Sequence, residues 1–237
     1  MITIDFKCLR PNAGSRILDV GCGTGRHTAA AWDLNKGLVV GADPAVDDLV
    51  AARERLGLHA RLKPHSGNAW SLVGADMIRL PFKDGRFDIV ICSEVLEHIA
   101  GWRLAVKEGI RVLKPGGHLV ISVPRRWPET ICWALSAEYR RCPGGHIRIF
   151  KTDELLRPIL ADGLTLWRTH CAHGLHTPYW WLKCLLGIER SRLWPVTVYQ
   201  RFLTWEMMKK PRLTRRLEHW LNPVIGKSVV FYFRKAI

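Results

Sequence analysis

Three acids in the first third of the chain, Asp19, Asp43 and Asp76, each close a short apolar run, in ILDV, GLVVGAD and SLVGAD. After Asp19 come glycines at alternate positions, Gly21, Gly23 and Gly25, a pattern that lets backbone approach a ligand closely. A dinucleotide fingerprint, G-x-G-x-x-G, would place its third glycine at 26, where Arg26 stands. An acid two residues before the first glycine repels a pyrophosphate and suits a cationic amine. The loop therefore reads as a seat for a nucleoside without phosphates that has a positive end. Asp43 lies 18 residues beyond Gly25, the distance expected of a ribose-reading acid.

Such acids can converge only if the strands carrying them end on one edge. Apolar runs predict strands at 17–20, 37–43, within 68–78, at 88–92, 117–123, 164–170 and 227–236. Helices are expected near 26–33, over 47–56, after the fourth strand with acids at its start, and over 152–163 with capping-box spacing and a closing glycine. Alternating elements of this kind predict a doubly wound, Rossmann-like sheet of seven strands, mostly parallel, with an antiparallel last strand. Residues 125–147 read as a flap. The nearly sixty residues between the last two strands read as a helical insertion. The expected division is a ligand-binding domain over 1–170, completed by 227–237, and a basic, Trp-rich insertion or lid over 171–226.

Taken in order, these segments resemble the class I S-adenosylmethionine-dependent methyltransferases, in particular the group related to the quinone-biosynthesis enzymes. The resemblance covers about residues 14–170 and returns at 227–236. ILDVGCGTGR resembles that family's first motif. It implies that Asp19 and the backbone of Gly21, Cys22, Gly23 and Gly25 hold the methionine part of the cofactor, S-adenosyl-L-methionine. By the same resemblance Asp43, followed by Pro44, takes the ribose hydroxyls, Asp76 takes the adenine amino group, and Met77 lies beside the ring. The turn Ser93-Glu94-Val95 would line the cleft. Relatives usually carry N-terminal helices that close over the cleft, whereas about sixteen residues precede the first strand here. The segments 125–147 and 171–226 are therefore expected to supply the lid.

Methyl transfer from a sulfonium needs alignment, and a hydroxyl acceptor also needs a base. The candidate bases are His98, one helical turn from Glu94, and His146, in GGHIRIF, a segment that borders the acceptor pocket in the family. Arg148 either binds an acidic acceptor or braces its loop. The turn Cys92-Ser93-Glu94-Val95 lacks the Pro-Pro-Tyr of base-amino methyltransferases, and no Pro-Cys nucleophile for cytosine methylation is present. In TPYWWLKCLLG, Trp180 and Trp181 lie on a broad apolar stripe that suits an acceptor lid, an interfacial helix or plain packing on the sheet. The run HCAHGLH holds His170, His173 and His176 without an acid nearby. It reads as a pocket or surface lining, and no metal site is assigned.

Net charge is +4 over residues 1–125 and +11 over 126–237, and eight of the eleven Trp lie in the second part. A basic, aromatic half fits a phospholipid surface, a lipid-linked substrate or a nucleic acid, or a solvated basic face over a Trp-rich core. Seven scattered cysteines without a CxxC pair point to a reducing cytoplasm, and the basic, aromatic half to contact at the membrane periphery. The sequence thus suggests O-methylation of a small-molecule, lipid-linked or saccharide acceptor. An RNA-modifying enzyme using the basic half, and a non-catalytic cofactor-binding scaffold, are the alternatives.

Overall fold

The computed structural model describes residues 1–34, 37–63, 69–190 and 193–237; Asn68, at the expected start of the third strand, lies outside them. The elements begin with α1 (Phe6–Leu9), β1 (Arg16–Val20), α2 (Arg26–Leu34), β2 (Leu38–Asp43), α3 (Val46–Leu62) and β3 (Ala69–Gly74). They continue with β4 (Phe87–Ser93), α4 (Trp102–Val112), β5 (Leu113–Pro124), α5 (Arg126–Leu135), α6 (Ala137–Arg141) and α7 (Thr152–Ala161). The chain closes with β6 (Leu164–Ala172), α8 (His176–Leu186), α9 (Trp194–Lys209), α10 (Arg212–Ile225) and β7 (Ser228–Lys235).

All seven strands form one sheet in the order β3-β2-β1-β4-β5-β7-β6. β1 to β5 run parallel, and β7 enters antiparallel between β5 and β6. Side chains alternate across the pleat, so each strand feeds two cores. Leu18, Val20, Val40, Val90, Leu119 and Ile121 pack with Trp102, Val106 and Ile110 of α4 and Leu155 and Ile159 of α7. Ile17, Val39, Ile89, Ile91 and Val120 pack on the other face with α1, α2 and α3. The buried positions of α4, at i, i+3, i+4 and i+8, form the apolar stripe expected of a helix laid on a sheet.

Two sequence expectations need correction. The stretch after β4 is not one helix: a 3-10 turn spans Leu96–His98, and α4 starts only after Gly101. Glu94, at φ +57°, leaves the strand in the left-handed region and so cannot open a regular helix there. The expected flap over 125–147 contains two helices, α5 and α6. The insertion between β6 and β7 is helical, as expected, and α8 lies against α5: Trp181 Nε1 donates to the Pro128 carbonyl at 3.0 Å. Among the described residues, no helix is long and apolar enough to cross a membrane.

Candidate active site

Parallel pairing puts the carboxyl ends of β3, β2, β1 and β4 side by side, and the three acids with them. Val20 is in register with Ala42 and Cys92, and Asp43 with Gly74. Asp19 is 2% exposed, and its Oδ2 accepts from Thr28 Oγ1 of α2 at 2.6 Å. Burial pushes its carboxyl up to about 7, against the hydrogen bond from Thr28 and the charge of Arg26. Asp43, also buried, accepts from the Gly23 amide through Oδ2 at 2.8 Å and from the Ala45 amide through Oδ1 at 2.9 Å. Each oxygen of an ionised carboxylate offers two acceptor positions, so two remain. Asp76 is exposed just past β3, and its Oδ1 accepts from the Ile78 amide at 3.0 Å.

The glycines explain how the loop fits. Gly21 has φ +66°, and a Cβ there would lie 2.4 Å from Val95 Cγ2, so the turn after β4 presses directly on it. Gly23, at φ +48°, has nothing within 4 Å of a Cβ position, which leaves that side of the loop open. Met77 is 4% exposed and meets Cys92, Sδ to Sγ, at 3.6 Å, so it belongs to the core beneath the edge. Cys22 is buried as well, and burial raises its thiol well above the usual range. Pro44 stays exposed after Asp43.

Beside this edge, over the ends of β4 and β5 and the start of β7, a second polar group is buried. Ser93 and Ser122 share a hydrogen bond of 2.8 Å, and Ser122 Oγ donates to Glu94 Oε1 at 2.9 Å. Glu97 is fully buried, and both its oxygens lack a hydrogen-bond partner. Burial, then the charge of Glu94, push its carboxyl well above the ordinary range. Glu129 of α5 is 1% exposed; its Oε1 lies 2.6 Å from His146 Nδ1 and its Oε2 3.3 Å from Lys227 Nζ. Burial pushes this carboxyl up, but the His146 hydrogen bond and the Lys227 charge outweigh it and hold the group at about 2. A carboxylate can only accept, so His146 Nδ1 carries a proton, which in the neutral ring makes Nε2 the acceptor. That Nε2 lies 4.0 Å from Glu97 Oε1.

Both candidate histidines reach this cluster, their rings 5.1 Å apart. His98 sits on the 3-10 turn, its Nδ1 donating to the Gly145 carbonyl at 3.1 Å, and burial lowers its pKa. Arg148 donates to the Ala100 carbonyl at 3.2 Å and stacks over Phe150, which braces its loop. Trp180 reaches the cluster, with Lys227 Nζ 4.9 Å from its ring centroid, whereas Trp181 packs on α5. A cavity of about 400 Å³ opens beside His98 and His146. A second, of about 530 Å³ and largely apolar, lies past β5, lined by Val123, Trp127, Ile131, Phe150 and Phe231 among others. Sequence reasoning missed Glu97, Glu129 and Lys227. The Glu94-x-x-Glu97-His98 spacing was the one local signal for the first of them.

Fold and edge together define a protein that seats a cationic nucleoside across the carboxyl ends of a parallel sheet. A family described as a methyltransferase domain matches residues 18–121. The ubiquinone biosynthesis O-methyltransferase of Chelativorans sp. is 32% identical over 183 residues, covering 74% of this chain and 69% of that protein. The demethylmenaquinone methyltransferase of Staphylococcus haemolyticus is 36% identical over 115 residues, 48% of this chain and 46% of that one. The chain thus spans from under half to about two thirds of the length of these curated relatives. A crystal structure from Bacillus halodurans shares the fold with a TM-score of 0.67 at 22% identity, over 98% of this chain and 97% of that one. The chain belongs to the class I S-adenosylmethionine-dependent methyltransferases, in the group related to the quinone-biosynthesis enzymes.

The residues present fit S-adenosylmethionine. Asp43 keeps acceptor positions for two hydroxyls, the Gly23 side of the loop is open, and buried Asp19 gains a reason to ionise when a cation arrives.

Proposed function

We propose that this chain methylates a hydroxyl of a small apolar or lipid-linked acceptor, with His146 as the base. The observation that carries this reading is the His146–Glu129 pair at 2.6 Å, in which the carboxylate is buried and the ring is partly exposed. S-adenosylmethionine supplies an electrophilic methyl group, open to in-line attack by an oxygen. His146 Nε2 takes the acceptor's hydroxyl proton, while Glu129 fixes the ring through Nδ1–H and stabilises the imidazolium that forms. Lys227 compensates the Glu129 charge, and the burial that pushes the Glu97 carboxyl up disfavours a second negative charge beside the base. His98 narrows the approach from the side of the 400 Å³ cavity, and the apolar cavity past β5 holds the acceptor's hydrocarbon part.

On the cofactor side, Asp19 and the Gly21–Gly25 backbone take the methionine end, Asp43 the ribose and Asp76 the adenine amino group. Ser93 and Glu94 close the turn between the two halves. Trp180 and Trp181 wall the acceptor side, and residues 171–226 act as its cover. Contact with a phospholipid surface is part of the proposal. The support for it lies on α10 rather than on the Trp180 helix. Leu213 and Trp220 are 79% and 74% exposed and, with Leu217 and Val224, form one outward apolar row flanked by Arg212 and Arg216.

The test incubates labelled S-adenosylmethionine with the protein and fractionated lipid, phenol, saccharide and RNA extracts. Alkali-stable label in an apolar hydroxyl-bearing fraction, lost with His146→Ala, is the expected result. Label recovered in RNA would overturn the acceptor class.

A further inference from the structure

The histidines that follow β6 lie outside the cluster proposed for methyl transfer. His173 follows that strand, His176 opens α8, and both meet Glu218 of α10. One ligand atom from each of these three side chains lies within 4.8 Å of the others. They line a cavity of about 430 Å³ together with Glu206 of α9. His176 is 6% exposed and its Nδ1 has no hydrogen-bond partner, an expensive state for a buried ring nitrogen. Glu206 is equally buried. Burial, then the charge of Glu206, push the Glu218 carboxyl up, so two acids compete in one space.

We propose that His173, His176 and Glu218, with Glu206 as the adjacent acid, form a transition-metal site of the kind zinc takes. Two imidazoles and a carboxylate match a known zinc donor set, and a divalent ion relieves both the orphan nitrogen and the paired acids. Bonds of about 2.0–2.2 Å set tetrahedral ligands roughly 3.4 Å apart, so closure from 4.8 Å takes side-chain rotation of about 1 Å. The Thr3 hydroxyl, 3.1 Å from His173 Nε2, orients that ring in the way outer partners orient metal-bound histidines. Lys210 and Arg215 also line the cavity, but both are exposed and can turn their charge to water. An ion here would pin the exit of β6, the start of α8 and α10 together, tying the cover to the sheet. The site is separate from Glu97, His98 and His146, whose donor atoms also lie within 4.8 Å of one another and which belong to the proposed reaction.

The full chain, stripped with chelator, is titrated with Zn²⁺ by calorimetry and with Co²⁺ by visible absorption. The expected result is one tight equivalent with the intense bands of tetrahedral cobalt. Zn²⁺ affinity should fall at least a hundredfold in His176→Ala and in Glu218→Gln and stay unchanged in His98→Ala. Because His176→Ala can unfold, thermal midpoints are compared as well: Zn²⁺ raises that of the parent chain and not that of Glu218→Gln. Absence of Zn²⁺ binding, or binding that survives Glu218→Gln and disappears with His98→Ala, overturns the proposal.

Discussion

Replacing Glu129 with Gln keeps the side-chain shape and removes the charge that His146 leans on. The bond it weakens is charge-assisted and 2.6 Å long, inside a pocket where Glu129 is 1% exposed. Hydrogen bonds to charged groups contribute about 1.5–3 kcal/mol, which corresponds to roughly 10- to 150-fold in rate if the bond matters only as the imidazolium forms. Steady-state kinetics with a defined hydroxyl acceptor should therefore show the loss in kcat, with cofactor affinity by calorimetry unchanged. Lys227, 15% exposed at its side chain, also loses a partner, so a lower thermal midpoint accompanies the effect. A double-mutant cycle separates the two. In a His146→Ala background, Glu129→Gln should cost little further rate, because Glu129 acts through the ring. An undiminished loss in that background would refute the reasoning.

The donor edge yields three more expectations. Asp43→Ala removes the acceptor of the Gly23 and Ala45 amides and, on the proposed reading, of both ribose hydroxyls, so cofactor affinity should fall by at least about 100-fold, read by calorimetry. Gly21→Ala adds a Cβ 2.4 Å from Val95 Cγ2 at φ +66°, and should destabilise by about 2–4 kcal/mol in denaturant melts; Val95→Ala should restore the steric part and leave the backbone part, about 1–2 kcal/mol. The raised carboxyl of Asp19 favours the ligand-free fold while it is protonated, a contribution present below the unfolded carboxylate pKa and lost as pH rises through about 7. Without ligand, Asp19→Asn should therefore gain stability over the parent between about pH 4 and 7, by up to about 1.4 kcal/mol per pH unit, and level off above that; a constant difference across the window would contradict the burial argument.

The donor edge was legible because its parts are local in sequence. ILDVGCG fixes Asp19 to a strand end and Gly21 to a left-handed turn within a few residues, and Asp43 and Asp76 close the next apolar runs. The cluster around His146 was not, because its partners come from distant elements. Glu129 lies on α5, which the Trp- and Pro-containing sequence disguised as a loop, and Lys227 precedes β7, with no spacing that links it to His146. The sequence placed His98 one helical turn from Glu94, but the left-handed Glu94 replaces the expected helix with a tighter turn. On α8 the stripe of Trp180 and Trp181 left a lid, an interfacial helix and plain packing equally open, because its spacing does not say what it meets; Trp181 packs against α5, and the exposed apolar row lies on α10.

The pairing of Ala172 with Ser228 brings the two ends of the helical insertion together as neighbours on adjacent strands. A segment that leaves and rejoins a sheet at one rung can be lengthened, shortened or exchanged at a small cost in loop entropy, with the strand ladder undisturbed. The insertion can thus diversify among descendants of this scaffold while the strand ends that carry Asp19 and Asp43 stay constant.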